Sequence, residues 1–234
     1  MGAIFRREFR AYFQSPIGYI CLAVFWAGCG WFFYASTLMT ATAELRSVFA
    51  GMGTISIFVI PLLTMRLFSE DKRLKTDQVL LTAPVSLWEL VMGKFLSALS
   101  VYAISVSIAL VYGFTLSIFA TVEWSVVIGL FFGMLMMGGA MIAIGAFISS
   151  LTENQIVAAV ATFAAMLLIG VINYIPEIVN ITFVQDLMRN LSFDNRFYTF
   201  QIGTFNLAST VFFLSVQFLF CFLTVRIFEK RRYA

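Results

Sequence analysis

Six stretches of this chain are long enough to cross a lipid bilayer and contain no Asp, Glu, Lys or Arg. They run Gly18–Leu38, Val48–Met65, Phe95–Phe119, Trp124–Ser149, Ile156–Ile175 and Leu207–Val225. A helix needs about 20 apolar residues to span hydrocarbon, and its backbone hydrogen bonds are then all internal. The sequence therefore predicts an all-α polytopic membrane protein with six transmembrane helices, folded as a single domain over 1–234. Composition excludes the alternative: the chain is 61% hydrophobic and 12% charged, whereas soluble domains carry about 25% charged residues. Its 27 phenylalanines suit helices that face lipid. A net charge of +3 is too small to suggest a nucleic-acid partner.

The segments outside these runs carry the charge. Residues 3–14, AIFRREFRAYFQ, form an amphipathic helix ahead of the first span. At about 100° per residue, Phe5, Phe9, Tyr12 and Phe13 share one face and Arg6, Arg7 and Arg10 the other. Such a helix lies in the membrane interface with its aromatic face down and its arginines toward anionic headgroups, so membrane lipid is its expected partner. Ala41-Thr42-Ala43 offers a signal-peptidase-like site, but Gly18–Leu38 is longer than a signal-peptide core and reads as a retained span. With both termini cytoplasmic, twelve Lys and Arg fall on the inner side and three (Arg46, Arg189, Arg196) on the outer. The positive-inside rule then puts the termini and the Met65–Lys94 connection in the cytoplasm.

Other features are weaker. Gly129 and Gly133 in the fourth span have a GxxxG spacing, which lets helices approach closely; packing within the monomer is the expected use. Cys21, Cys29 and Cys221 lie in apolar runs and read as small packing residues. The outer segment 176–206 is amphipathic: Phe183, Leu187 and Leu191 oppose Asp186, Arg189 and Asn190, and Phe193, Phe197 and Phe200 continue the aromatic series. Short helices lying on or dipping into the outer leaflet fit this pattern. The chain has no histidine, which removes the usual metal ligand and general base, and no P-loop sequence for nucleotide. The reading is a non-enzyme with no metal and no cofactor of its own. A proton-driven carrier would need ionisable groups inside the bilayer, and the spans offer none. Gln217 is read as an interhelical hydrogen bond.

Nine ionisable residues cluster in the thirty positions from Met65 to Lys94: Arg66, Glu70, Asp71, Lys72, Arg73, Lys75, Asp77, Glu89 and Lys94. Leu67, Leu74 and Leu81 recur at seven-residue intervals on one helical face, with Lys72, Arg73 and Lys75 pointing elsewhere. Pro84 stops this segment, and Ser86-Leu87-Trp88-Glu89 is a capping box that starts the next helix. A projecting helix, break and helix would make a docking element; a solvated connection is the plainer alternative.

FSEDKRLKTDQVLLTAPVSLWELVMGKF resembles the cytoplasmic loop of ABC-2-type transporter permeases, most similarly the gliding-motility-type branch. SSLTENQIVAA and NLSFDNRFYTFQIGTF agree with the same family, and the loop departs from its pattern at Lys75 and Gln78. The resemblance implies an ABC-2 (type V exporter-like) architecture and a permease subunit of an ATP-driven transporter, an exporter, in the cell inner membrane. It implies two separate ABC ATPase subunits carrying ATP and Mg, a second permease chain completing a homodimer, and an outer-side accessory protein. The 66–94 loop would be the ATPase-coupling loop, with contacts drawn from Glu70, Asp71, Arg73, Leu74, Asp77, Leu80, Leu81, Thr82 and Pro84. The segment 3–14 would be the interface helix and 176–206 the outer re-entrant helices. A stand-alone secondary carrier, or a membrane scaffold whose ATPase works mechanically on an outer-side partner, are the competing readings.

Overall fold

The computed structural model describes residues 1–42, 45–76, 86–172, 182–201 and 206–232. Among them the chain is helical, without a strand. The elements are α1 (Gly2–Gln14), α2 (Pro16–Phe33), α3 (Arg46–Thr64), α4 (Ser69–Arg73), α5 (Leu87–Val106), α6 (Ile108–Ser117), α7 (Trp124–Leu151), α8 (Gln155–Val171), α9 (Thr182–Leu191), α10 (Phe193–Gln201) and α11 (Leu207–Arg232). A wider π-helical turn, Tyr34–Leu38, continues α2. Five helical stretches among the described residues are long and apolar enough to cross a membrane, and α8 is a shorter apolar helix of 17 residues. The expected fifth span would extend α8 to Ile175; residues 173–175 lie outside the described residues. The protein is an all-α polytopic membrane protein.

Local chemistry explains where the chain turns. Ser15 is extended and Pro16 opens α2, because the ring removes an N–H that would have no partner there and restricts the preceding residue to extended backbone. Ser86 caps α5, its hydroxyl accepting from the Glu89 N–H at 3.2 Å. Asn154 does the same for α8, accepting from the Ile156 N–H at 2.9 Å.

The third span, expected as an uncharged run from Phe95 to Phe119, is entered by a helix that starts at the expected cap, at Leu87, so Glu89 and Lys94 lie on the same rod. The rod is also interrupted at Ser107, between α5 and α6. Near this break the Ser105 carbonyl accepts the Trp26 indole N–H at 3.1 Å.

Helix α7 is the axis of the bundle, packed against α3, α5, α8, α10 and α11. In lipid, burial of apolar surface does not drive helix association, so close packing must supply the contact energy. The glycines of α7 provide it by receiving side chains. A Cβ at Gly133 would lie 2.8 Å from the Phe200 ring, at Gly138 2.1 Å from the Tyr102 ring, at Gly139 2.8 Å from the Gln217 amide and at Gly145 2.4 Å from the Thr64 hydroxyl. Gly129 is likewise buried. Gln217 donates to the Met136 carbonyl at 3.0 Å, the interhelical bond expected of it. Tyr102 shares a 2.9 Å hydrogen bond with Ser56 of α3.

At one end of the bundle, α10 turns Phe193, Phe197 and Phe200 into the core. Phe193 meets Phe212 and Phe213 edge-on, with centroids 5.8 and 5.5 Å away. Of the segment expected at the leaflet surface, α10 is thus seated on the bundle. Helices α1 and α4 gather at the opposite end, with the ends of α7 and α11.

Candidate functional site at the charged end

The stretch Arg66–Thr76 does not project. It is bonded to four helices, and the helix within it, α4, has only five residues. Leu74 and Lys75 form a turn, with Lys75 in the left-handed region at φ 55°. The continuous helical face expected through Leu67, Leu74 and Leu81 is therefore corrected. Leu67 is buried in the core, whereas Leu74 is 59% exposed.

Lys94 organises the cluster. Its side chain is 2% exposed, and its ammonium lies 2.8 Å from Asp71 Oδ2 and 3.2 Å from Glu8 Oε1. It donates to the Leu67 carbonyl at 2.6 Å and sits 5.4 Å above the Phe68 ring. Three segments distant in sequence, α1, the 66–76 stretch and α5, thus meet on one cation. Arg7 pairs with the same Glu8 oxygen at 2.5 Å, so the two carboxylates face two cations. Gly93 makes the meeting possible, since a Cβ there would lie 3.0 Å from Ile4 of α1.

Arg66 forms a second tie. It bonds Ser15 Oγ at 2.6 Å and Glu70 at 3.0 Å and lies 5.5 Å over the Tyr12 ring. Tyr12 is buried and donates to the Leu63 carbonyl at 2.8 Å; burial holds its phenol well above the usual tyrosine range, so it remains a donor. Tyr12 thus turns into the protein core, and Phe9 and Phe13, expected to face lipid, are half-buried and packed against that core. Helix α7 provides the third tie. Ser149 Oγ accepts from the N–H groups of Phe68 and Ser69, each at 3.2 Å, and donates to the Met65 carbonyl at 3.2 Å. Lys72, expected to be solvated, is 3% exposed and donates to the Ser150 carbonyl. Phe68 meets Phe228 of α11 with centroids 5.2 Å apart, the fourth tie.

The residues proposed from sequence for ATPase coupling therefore divide. Asp71 faces inward to Lys94 and also accepts from Thr76 Oγ1 at 3.0 Å. Glu70 is half-buried beside Arg66, and Arg73 and Leu74 are exposed. Asp77, Leu80, Leu81, Thr82 and Pro84 lie outside the described residues. On α1, Arg6, Arg7 and Arg10 are exposed and line an open groove. Phe5, Phe9 and Phe13 form a ring ladder with centroids 5.8 and 5.2 Å apart, extended by Tyr19. Sequence reasoning missed the structural part of Lys94 and Lys72; helices α7 and α8 both contact α4, and Leu151 and Ile156 at the turn between them are exposed. The signal for Lys94 was the Gly-Lys pair at positions 93 and 94, a small residue for approach followed by a cation long enough to use it.

These features define a class, a helical membrane protein whose charged end is built around one inter-span connection. Residues 34–227 match the ABC-2 family transporter protein family. The chain belongs to that family and is the membrane subunit type of an ABC transporter, a permease subunit. No curated protein matches it.

Proposed function

We propose that this permease subunit is driven by a separate ATPase that docks on the 66–94 connection, and that the complex exports its substrate. The observation that carries the reading is the division of the connection. One side of 66–76 is tied to α1, α5, α7 and α11, while Arg73, Leu74, Lys75 and Thr76 are exposed. A contact pressed on that exposed side would act on most of the bundle. The apolar residues Leu74, Leu80 and Leu81 carry the docking energy, because burying a leucine contributes roughly 1.5–3 kcal/mol, against about 0–1 kcal/mol for an exposed ion pair.

In this reading ATP and Mg belong to two ATPase copies, and a second copy of this chain completes a homodimer. Both termini and the connection face the cytoplasm, with α1 lying in the inner-membrane interface and α9 and α10 on the outer side, open to an accessory protein. The charge count supports that orientation, and the loop sequence supports the gliding-motility-type branch. Native mass measurement of the purified complex tests the assembly: two permease chains with two ATPases are expected, and one permease per particle overturns it.

A further inference from the structure

We propose that Lys94 is a positioning residue for coupling, which makes α1 and the 66–76 stretch one moving body with the start of α5. This rests on the docking reading above and names the part that carries the stroke inward. A buried ammonium between Asp71 and Glu8, at 2.8 and 3.2 Å, joins segments that have no covalent proximity. The buried ammonium is stable only with its carboxylates, since separating it from them strands its charge away from water. Displacement of 69–76 by an ATPase must therefore carry Glu8, and with it the amphipathic helix, rather than slide past it. Gly93 adds contact at the same place, holding Ile4 against α5. Helix α1 is thereby a lever at the membrane surface and not a static anchor, and its exposed Arg6 and Arg10 move with the docked segment. The same stroke reaches the bundle axis through α5, whose Tyr102 is seated on Gly138 of α7.

The test places spin labels at Arg6→Cys and Arg73→Cys in a chain lacking its three cysteines, reconstituted in lipid nanodiscs. The Arg6–Arg73 distance distribution is measured with and without the ATPase and nucleotide. Because Lys94→Met alone removes the cation that the two acids share and destabilises the fold, the comparison variant is Lys94→Met with Glu8→Gln and Asp71→Asn, which removes the charges together. Wild type is expected to give one narrow distribution that nucleotide does not change, and the triple variant a broader one that shifts with nucleotide. Its ATPase should still bind, while the permease-dependent change in hydrolysis falls by at least about fivefold. A narrow, nucleotide-independent distribution in the folded triple variant overturns the proposal. If the ATPase does not bind even the unlabelled wild-type chain, the docking reading falls, and the widths of the two distributions without ATPase decide the ionic tie.

Discussion

The two ends of helix α5 are held by opposite means. Near its start, Lys94 gathers two carboxylates and a carbonyl around an ammonium that is 2% exposed. Two turns further on, Tyr102 is held by shape, its ring set over the bare backbone of Gly138 and its hydroxyl on Ser56. A buried ion cluster is specific but costly, because desolvation offsets most of its attraction. Ring-on-glycine packing carries no such cost, yet it tolerates no added atom. The comparison separates a region fit to move as a unit from one fit to stay packed.

Changes at the charged end give the largest effects. Lys94→Met alone should destabilise by about 3 kcal/mol, because it removes the Asp71 ion pair and leaves Glu8 to Arg7, and thermal unfolding in detergent measures this. Recovery of most of that loss by adding Glu8→Gln and Asp71→Asn would sharpen the comparison. An unchanged melting temperature in the single variant would break it.

The glycine-lined axis comes next. Gly138→Ala forces the Tyr102 ring to move and should cost about 1–3 kcal/mol, as overpacking does. Gly170→Ala, with nothing within 4 Å of a new Cβ, should be neutral or stabilising by up to about 1 kcal/mol from helix propensity. Equal effects at both positions would mean that seating on glycine does not hold the bundle.

Lys72→Ala follows. Its ammonium is buried on the Ser150 carbonyl, and losing a hydrogen bond from a charged group costs about 1.5–3 kcal/mol. Leu74→Asp, at an exposed site, should leave the melting temperature nearly unchanged.

The smallest effect concerns α10. Partial desolvation raises the Asp194 carboxyl above its ordinary range, although the residue is exposed. Folding then favours the protonated form: this contribution is complete below about pH 3.9 and is lost as pH rises through the raised folded value. Asp194→Asn should therefore stabilise only slightly at neutral pH, because solvent screens an exposed carboxylate, and make no difference at pH 3, read from melting temperatures at the two pH values.

Much of this architecture was legible because charge exclusion marks a span without ambiguity. The runs Gly18–Leu38, Val48–Met65, Trp124–Ser149 and Leu207–Val225 overlap α2, α3, α7 and α11 closely. The start of α5 was legible from the Ser86–Glu89 capping box, but the burial of Lys94 was not, because its partners lie on α1 and α4. For the same reason Lys72 reads as solvated: periodicity reports a residue's face, not the serine carbonyl 78 positions away that receives it. The leucine heptad suggested a continuous helix, but the left-handed Lys75 ends α4 first. Gln217 was legible because a single amide inside an apolar run has few other uses. The ring-over-glycine contacts were not, because GxxxG spacing does not say whether a backbone or a side chain fills the groove.

The central claim is that an ATPase docks on the connection between α3 and α5, which includes the exposed residues 73–76. The most direct measurement is pull-down of the ATPase by the membrane-embedded chain, with its hydrolysis rate, for wild type, Leu80→Asp, Leu81→Asp and Leu74→Asp. The account predicts that the wild-type chain retains the ATPase and that the Leu80 and Leu81 variants release or uncouple it, with folding intact. Near wild-type retention and hydrolysis in all three variants would contradict it and make the segment an ordinary connection between spans.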